Sequence, residues 1–237
     1  LQEGELSLGE LETFCNGSDC YIDTWYDQSG NGYDVSNAFH SDQPLIFSTG
    51  VVTDGNNPAI QFFGGEDLQN TNANIFTGEV TLIALGSFDS LSERSAIVDI
   101  GSPEGSDNSH FVLEQNTWNT SGDTYGFYAS NTSFDSNIST DFGQKLFWLH
   151  ANASVGNNIG LNTTYSINND PSSLSSRVGF GIYNDYTAVD HITIGSFDTF
   201  LGARHEGKIQ EIIVYDSIQV SNQEAILSNI NRFYSVY

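Results

Sequence analysis

Short runs of apolar, β-branched and aromatic residues recur along this chain between clusters of Gly, Asn, Asp and Ser, a spacing that suits antiparallel strands. The most informative run is Tyr21 to Tyr26, where Ile22, Thr24 and Tyr26 share one face and Tyr21, Asp23 and Trp25 the other, which predicts a strand. Asp27 to Gly32 predicts its turn. Gly30 and Asn31-Gly32 accept positive φ, and Asp27 and Ser29 can bond nearby backbone N–H groups, so Asp27 reads as a turn-stabilising carboxylate. Pro44 to Phe47, Val51-Val52 and Pro58 to Phe63 follow as short strands, and Glu79 to Phe88, apolar on both faces, as a central one. The series continues with Ala96 to Ile100, His110 to Leu113, Tyr125 to Tyr128, Leu146 to His150, Ile159 to Leu161, His191 to Ile194 and Lys208 to Tyr215.

Only the two ends break the pattern. Leu6, Leu8, Leu11 and Phe14 have helical spacing in a short acidic segment. Near the C-terminus, Ser221 and Glu224 form a potential capping box before Ala225, Ile226, Ile230 and Phe233, with Leu227 and Tyr234 beside them. The expectation is all-β: a sandwich of roughly a dozen strands with one C-terminal helix, forming one domain over residues 1–237. Leu1-Gln2-Glu3-Gly4-Glu5 lacks an initiating Met, so the chain reads as a piece of a longer protein.

Charge narrows the partners. Six Lys and Arg against thirty Asp and Glu give a formal charge of −24, which repels phosphate backbones and anionic membrane surfaces and excludes nucleic acid. No apolar stretch is long enough for membrane insertion. Cys15 and Cys20 flank Asn-Gly-Ser-Asp, a turn-forming tetrapeptide that can bring their β-carbons together; a disulfide is the reading, against a metal pair short of two ligands and two free thiols. With that bridge, the composition suggests an extracellular, secreted or surface-exposed protein.

Thr24-Trp25-Tyr26-Asp27-Gln28-Ser29-Gly30-Asn31-Gly32, the Phe14-Cys15 to Cys20 pair, Gln43-Pro44-Leu45-Ile46 and Asn57-Pro58-Ala59-Ile60-Gln61-Phe62 resemble the concanavalin A-like jelly-roll domain of α-L-arabinofuranosidase B. They equally resemble its lectin-like relatives in bacterial surface proteins and phage fibres. Gly207 to Asp216 followed by a helix is similar to the close of laminin-G-like domains. The resemblance implies a concanavalin A-like jelly roll. For an enzyme it also implies a nucleophilic Glu two residues after a Gly-His pair, within His-Met-Glu. Here Ser109-His110-Phe111-Val112 puts Val112 where that Glu would stand, with Glu114 two residues on along the same strand face. The implied acid/base Asp follows an Ile-Gly, and Ile194-Gly195-Ser196-Phe197-Asp198 offers Asp198.

Sugar recognition needs flat apolar surfaces for C–H faces and polar groups for hydroxyls. Trp118 lies in the polar stretch Glu114 to Asp123, Tyr183, Asp185 and Tyr186 form a second cluster, and Tyr125 is a third aromatic candidate. Trp25 and Trp148 lie in clean strands and read as packing residues. The expectation is a lectin-like module binding a polysaccharide or glycoprotein glycan through Trp118, Tyr125, Tyr183, Asp185, Tyr186 and Asp198, within a larger surface protein whose domains could assemble with it. The alternatives are an arabinofuranosidase-type hydrolase using Glu114 and Asp198, and a structural fibre or adhesin domain. No organic cofactor is indicated. Calcium is the candidate ion, through the oxygen-rich stretches Asp99 to Asp107 and Glu66-Asp67, although no EF-hand or nonapeptide spacing is present.

Overall fold

A computed structural model of the chain describes residues 6–73, 79–90, 94–101, 111–115, 124–129, 132–152, 163–171, 175–177, 191–197 and 203–237. Helix α1 (Leu8–Cys15) leads into β1 (Cys20–Tyr21), β2 (Thr24–Trp25), β3 (Val35–Ser36), β4 (Leu45–Phe47), β5 (Thr53–Asp54), β6 (Asn57–Pro58), β7 (Ile60–Phe63), β8 (Leu68–Asn70) and the long β9 (Glu79–Phe88). Then come β10 (Ser95–Gly101), β11 (Phe111–Gln115), β12 (Thr124–Ala129), β13 (Thr132–Ser139), β14 (Lys145–Asn152), β15 (Thr163–Ile167), β16 (Asp170–Pro171) and β17 (Ser175–Arg177). The chain closes with β18 (His191–Ile194), β19 (Glu206–Tyr215) and helix α2 (Gln223–Tyr234).

Among the described residues, the strands build an eight-stranded sheet in the order β1-β4-β7-β19-β9-β14-β15-β16 and a nine-stranded sheet in the order β17-β13-β12-β11-β10-β18-β8-β3-β2, with β5-β6 a separate pair. Alternation sends every second side chain inward. Phe62, Val80, Leu82, Ala84, Phe147 and Leu149 from the first sheet meet Val35, Leu68, Ile100, Leu113, Phe127 and Ile192 from the second in one buried cluster, so the fold is a β-sandwich. The outward face of the eight-stranded sheet is also apolar: Ile83, Leu85, Leu146 and Trp148 pack under Leu227 and Ile230 of α2. That double burial is why Glu79 to Phe88 is apolar on both faces.

Three local features differ from the sequence expectation. The run Tyr21 to Tyr26 is not one strand: β1 pairs with β4 in the first sheet and β2 with β3 in the second, so the chain changes sheets at Ile22-Asp23. Long-range bonds fix that crossing, with Ile22 N–H donating to Pro44 O at 2.8 Å and Gln43 Nε2 to Asp23 Oδ1 at 3.2 Å. At α2 the Ser221–Glu224 box is replaced by a 3₁₀ turn over Val220–Asn222, and Asn222 caps without a side-chain bond. In α1 Leu11 packs on the core, but Phe14 is 83% exposed. The expected strand at Ile159 to Leu161, and His110, lie outside the described residues.

Other expectations hold. Cys15 and Cys20 form a disulfide across a Cα–Cα distance of 5.9 Å. Asp27 knits its turn: Oδ1 accepts Ser29 N–H at 2.8 Å, and Oδ2 accepts the Ser29 hydroxyl at 2.7 Å and Tyr33 N–H at 3.1 Å. Although slight burial pushes its carboxyl up, those bonds outweigh it and hold it below the ordinary value.

Candidate functional site

The two outward faces of the sandwich differ in kind. Where the eight-stranded sheet is apolar and sealed by α2, the nine-stranded sheet turns a row of polar groups outward. Asp99 of β10 pairs with Val112 of β11 on one side and Thr193 of β18 on the other, and Thr193 pairs with Gln69 of β8. Their sequence neighbours Val98, Ile100, Leu113, Ile192, Ile194 and Leu68 enter the core, so alternation directs the row away from it. One step along, Glu114 stands opposite Ala96 and Gly126, and His191 opposite Gly101. Asp99, Glu114, Thr193 and His191 are all buried, and His191 Nε2 is hydrogen-bonded to Thr193 Oγ1.

Cations are placed against these acids. Arg94 Nε donates to Glu114 Oε2 at 2.6 Å and Nη2 to Oε1 at 3.1 Å, a side-on bidentate pair. The Arg94 guanidinium also stacks over Phe197, 5.0 Å from the ring centroid. Phe197 reaches that position because the chain bends back after β18 at Gly195, whose φ is +87° and whose N–H donates to Ile97 O at 2.9 Å. A Cβ at Gly195 would lie 2.3 Å from the Phe62 ring, so glycine is required there. Phe197 then packs with Ala96, Val112 and Ala203 in a small apolar patch beside Glu114. Further across, Asp67 accepts from Asn37 Nδ2 at 2.9 Å and lies 3.6 Å from Arg204 Nη1.

Electrostatics follows from burial. Desolvation pushes Glu114 up to about 7 against the pull of Arg94, with the charge of Asp99 adding to the rise. Asp67 is likewise raised by burial, opposed by Arg204, Asn37 and Gln69. The remaining lone pairs of Glu114 point into protein: its side chain has no exposed surface, and both oxygens hold the guanidinium. That arrangement orients and neutralises. It does not present a carboxylate to an anomeric carbon, which is what a glycosidase nucleophile must do.

Of the residues singled out in the sequence, Glu114 belongs to this face and Val112 lies beside it in the apolar patch. Tyr125 does not belong to it. It shares the inward parity of Phe127, is fully buried between Phe88 and Phe147, and bonds Asp141 through its hydroxyl, so it is a core residue and offers no stacking surface. Trp118, Tyr183, Asp185, Tyr186 and Asp198 lie outside the described residues. Sequence reasoning missed Arg94, Arg204, Thr193 and His191, and read Asp99 only as the start of the candidate calcium stretch Asp99 to Asp107, most of which lies outside the described residues. The legible signal was a lone Asp or His inside an apolar strand, and an Arg in a chain with so few cations. The Glu66-Asp67 pair is engaged internally, Glu66 Oε2 accepting from Phe63 N–H at 2.6 Å and Gly65 N–H at 3.1 Å. Among the described residues, no three His, Cys, Asp or Glu are grouped to hold a metal ion.

No protein-family model and no curated protein sequence matches this chain. Solved structures do match. A mutant GH54 α-L-arabinofuranosidase soaked with 4-nitrophenyl α-L-arabinofuranoside superposes with a TM-score of 0.60 at 15% identity, over 94% of this chain and 53% of that one. The fold is a jelly-roll, lectin-like β-sandwich. The CBM40 of a Ruminococcus gnavus IT-sialidase matches this jelly roll at a TM-score of 0.50 and 15% identity, over 72% of this chain and 95% of its own. A heptameric SAP-like pentraxin from Limulus polyphemus does so at 0.51 and 15%, over 70% and 78%. At such identities the likeness is one of fold. This jelly roll spans about half the length of the arabinofuranosidase it matches.

Proposed function

We propose that this jelly roll is a carbohydrate-binding module of a larger extracellular or surface protein, and that it holds a glycan without cleaving it. The observation that carries the reading is where the scarce cations stand. Of six Lys and Arg among thirty acids, Arg94 and Arg204 are placed beside Glu114 and Asp67 on the outward polar face of the nine-stranded sheet. Burying ionised groups costs several kcal/mol each, roughly, unless they are paired, so a sheet face that served only solubility would leave its acids in water. With Asp99, Glu114, Thr193 and His191 buried, the array serves as a rigid floor, and contact with a saccharide falls to the segments that flank it.

The residues proposed to touch the sugar fall, in sequence, between strands of that same sheet. Trp118 lies between β11 and β12, Tyr183, Asp185 and Tyr186 between β17 and β18, and Asp198 just past β18. In this reading Trp118 stacks on a ring and Asp185 or Asp198 takes its hydroxyls. The engagement of both Glu114 oxygens by Arg94 is what favours binding over an arabinofuranosidase-type cleavage. Two assays decide between them: calorimetry on neutral plant and algal polysaccharides, and release of nitrophenol from 4-nitrophenyl α-L-arabinofuranoside. Binding without turnover is expected. Turnover that Glu114→Gln abolishes would overturn the non-catalytic assignment.

A further inference from the structure

Among the described residues, one length of β19 in the eight-stranded sheet has a strand partner on one side only. Strand β19 pairs with β9 from Gly207 to Tyr215, but with β7 only from Glu206 to Ile209. At Gln210 the side chain closes the gap by donating to the carbonyls of Asp54, Asn57 and Pro58. From Glu211 to Tyr215, no described residue pairs with β19 on that side. Ile212 and Val214 pack on the main core and Ile213 and Tyr215 on the cluster under α2, so both faces are covered. Yet every residue from Gln210 to Tyr215 is only partly buried, whereas β9 beside it is buried almost throughout. With both faces covered, the exposure comes through the edge.

Proteins usually blunt such an edge with Lys, Pro or a bulge. Glu211-Ile212-Ile213-Val214-Tyr215 carries neither residue, and the one register shift in β19 against β9 falls before it, between Ile209 and Glu211. Alongside lies a groove of about 510 Å³, lined by Glu211, Ile213 and Tyr215 from the strand and Asn222, Ile226 and Asn229 from α2. One acid, Glu211, lines the groove, and the negative field there comes chiefly from the chain as a whole, with its formal charge of −24.

We infer that the Glu211–Tyr215 edge of β19 docks an extended, basic peptide segment of a partner protein, which adds as a strand and drops alternate side chains into the groove against α2. Backbone pairing supplies the affinity of such a mode and the groove its selectivity. The charge selects a cationic partner over a second copy of this chain, since two copies of charge −24 repel. This site is independent of the segments proposed to bind glycan.

The test is hydrogen exchange of the 211–215 amides, with and without a capped synthetic Lys-Val-Lys-Val-Lys-Val peptide. The peptide should slow exchange there by about tenfold or more, as pairing to the edge would. The same peptide N-methylated at every residue should have no effect. Asn229→Lys, at an exposed groove position, should weaken binding by about tenfold through like-charge repulsion. Amides already slow in the free chain, a concentration-dependent dimer that protects them, an unresponsive edge, or equal binding of the N-methylated peptide would each overturn the proposal.

Discussion

The Arg94 guanidinium lies side-on against the Glu114 carboxylate, one nitrogen to each oxygen, where the carboxylate is fully buried and the arginine 11% exposed. Removing one partner strands the other. Arg94→Met should therefore cost about 1 to 3 kcal/mol of stability in urea denaturation, the usual penalty for a buried polar group left unpaired, because Glu114, already raised to about 7, takes up a proton once the guanidinium is gone. Arg94→Met combined with Glu114→Leu should recover most of that loss, because the pair's desolvation disappears with it. A double variant no more stable than Arg94→Met would show that the pair does more than neutralise itself.

A second buried group works against Glu114 as pH changes. His205 is wholly buried between Phe62 and Phe88 with Nδ1 at 3.1 Å from Ser95 Oγ, and desolvation lowers it to about 4. A lowered histidine favours folding above the unfolded value near 6.5, and that stability is lost as pH falls toward 4. Glu114, raised from 4.5 to about 7, does the opposite: the folded chain keeps a proton the unfolded chain has released, so its contribution falls as pH rises through that range. Between about pH 4.5 and 6.5 the two proton differences cancel. Relative to wild type, Glu114→Gln should add a positive slope of stability against pH of up to about 1.4 kcal/mol per unit, and His205→Gln a negative one. Urea melts at pH 4.5, 5.5 and 6.5 measure both slopes.

Tyr125 tests the boundary between packing and recognition. Its hydroxyl donates to Asp141 O and accepts Asp141 N–H, each at 2.9 Å, so Tyr125→Phe leaves two backbone groups unpaired. A loss of about 1 to 3 kcal/mol is expected, with glycan affinity unchanged. Altered affinity at unchanged stability would return Tyr125 to the binding surface.

How much of this was legible depended on how local the cause was. The Asp27 turn, the disulfide and the doubly apolar β9 follow from neighbours in sequence. The jump between sheets at Ile22-Asp23 did not, because alternation from Tyr21 to Tyr26 reads the same for one strand or two. Gln43 and Pro44 decide it from some twenty residues away. Tyr125 was misjudged as a binding aromatic, although its parity with Phe127 already placed both on the core side. The polar face was invisible for a different reason. Asp99 and Glu114 sit on neighbouring strands, Arg94 reaches one of them from outside both, and only register brings them together.

The central claim is that the aromatic segments flanking the polar face bind a neutral glycan. Its most direct test is a calorimetric titration of wild type and Trp118→Ala with the best-binding polysaccharide, alongside their melting temperatures. The account predicts binding by wild type, an affinity loss of about 1 to 3 kcal/mol in the variant, and an unchanged melting temperature. No binding to any polysaccharide at millimolar concentration, or a variant that melts early while binding as before, would contradict it.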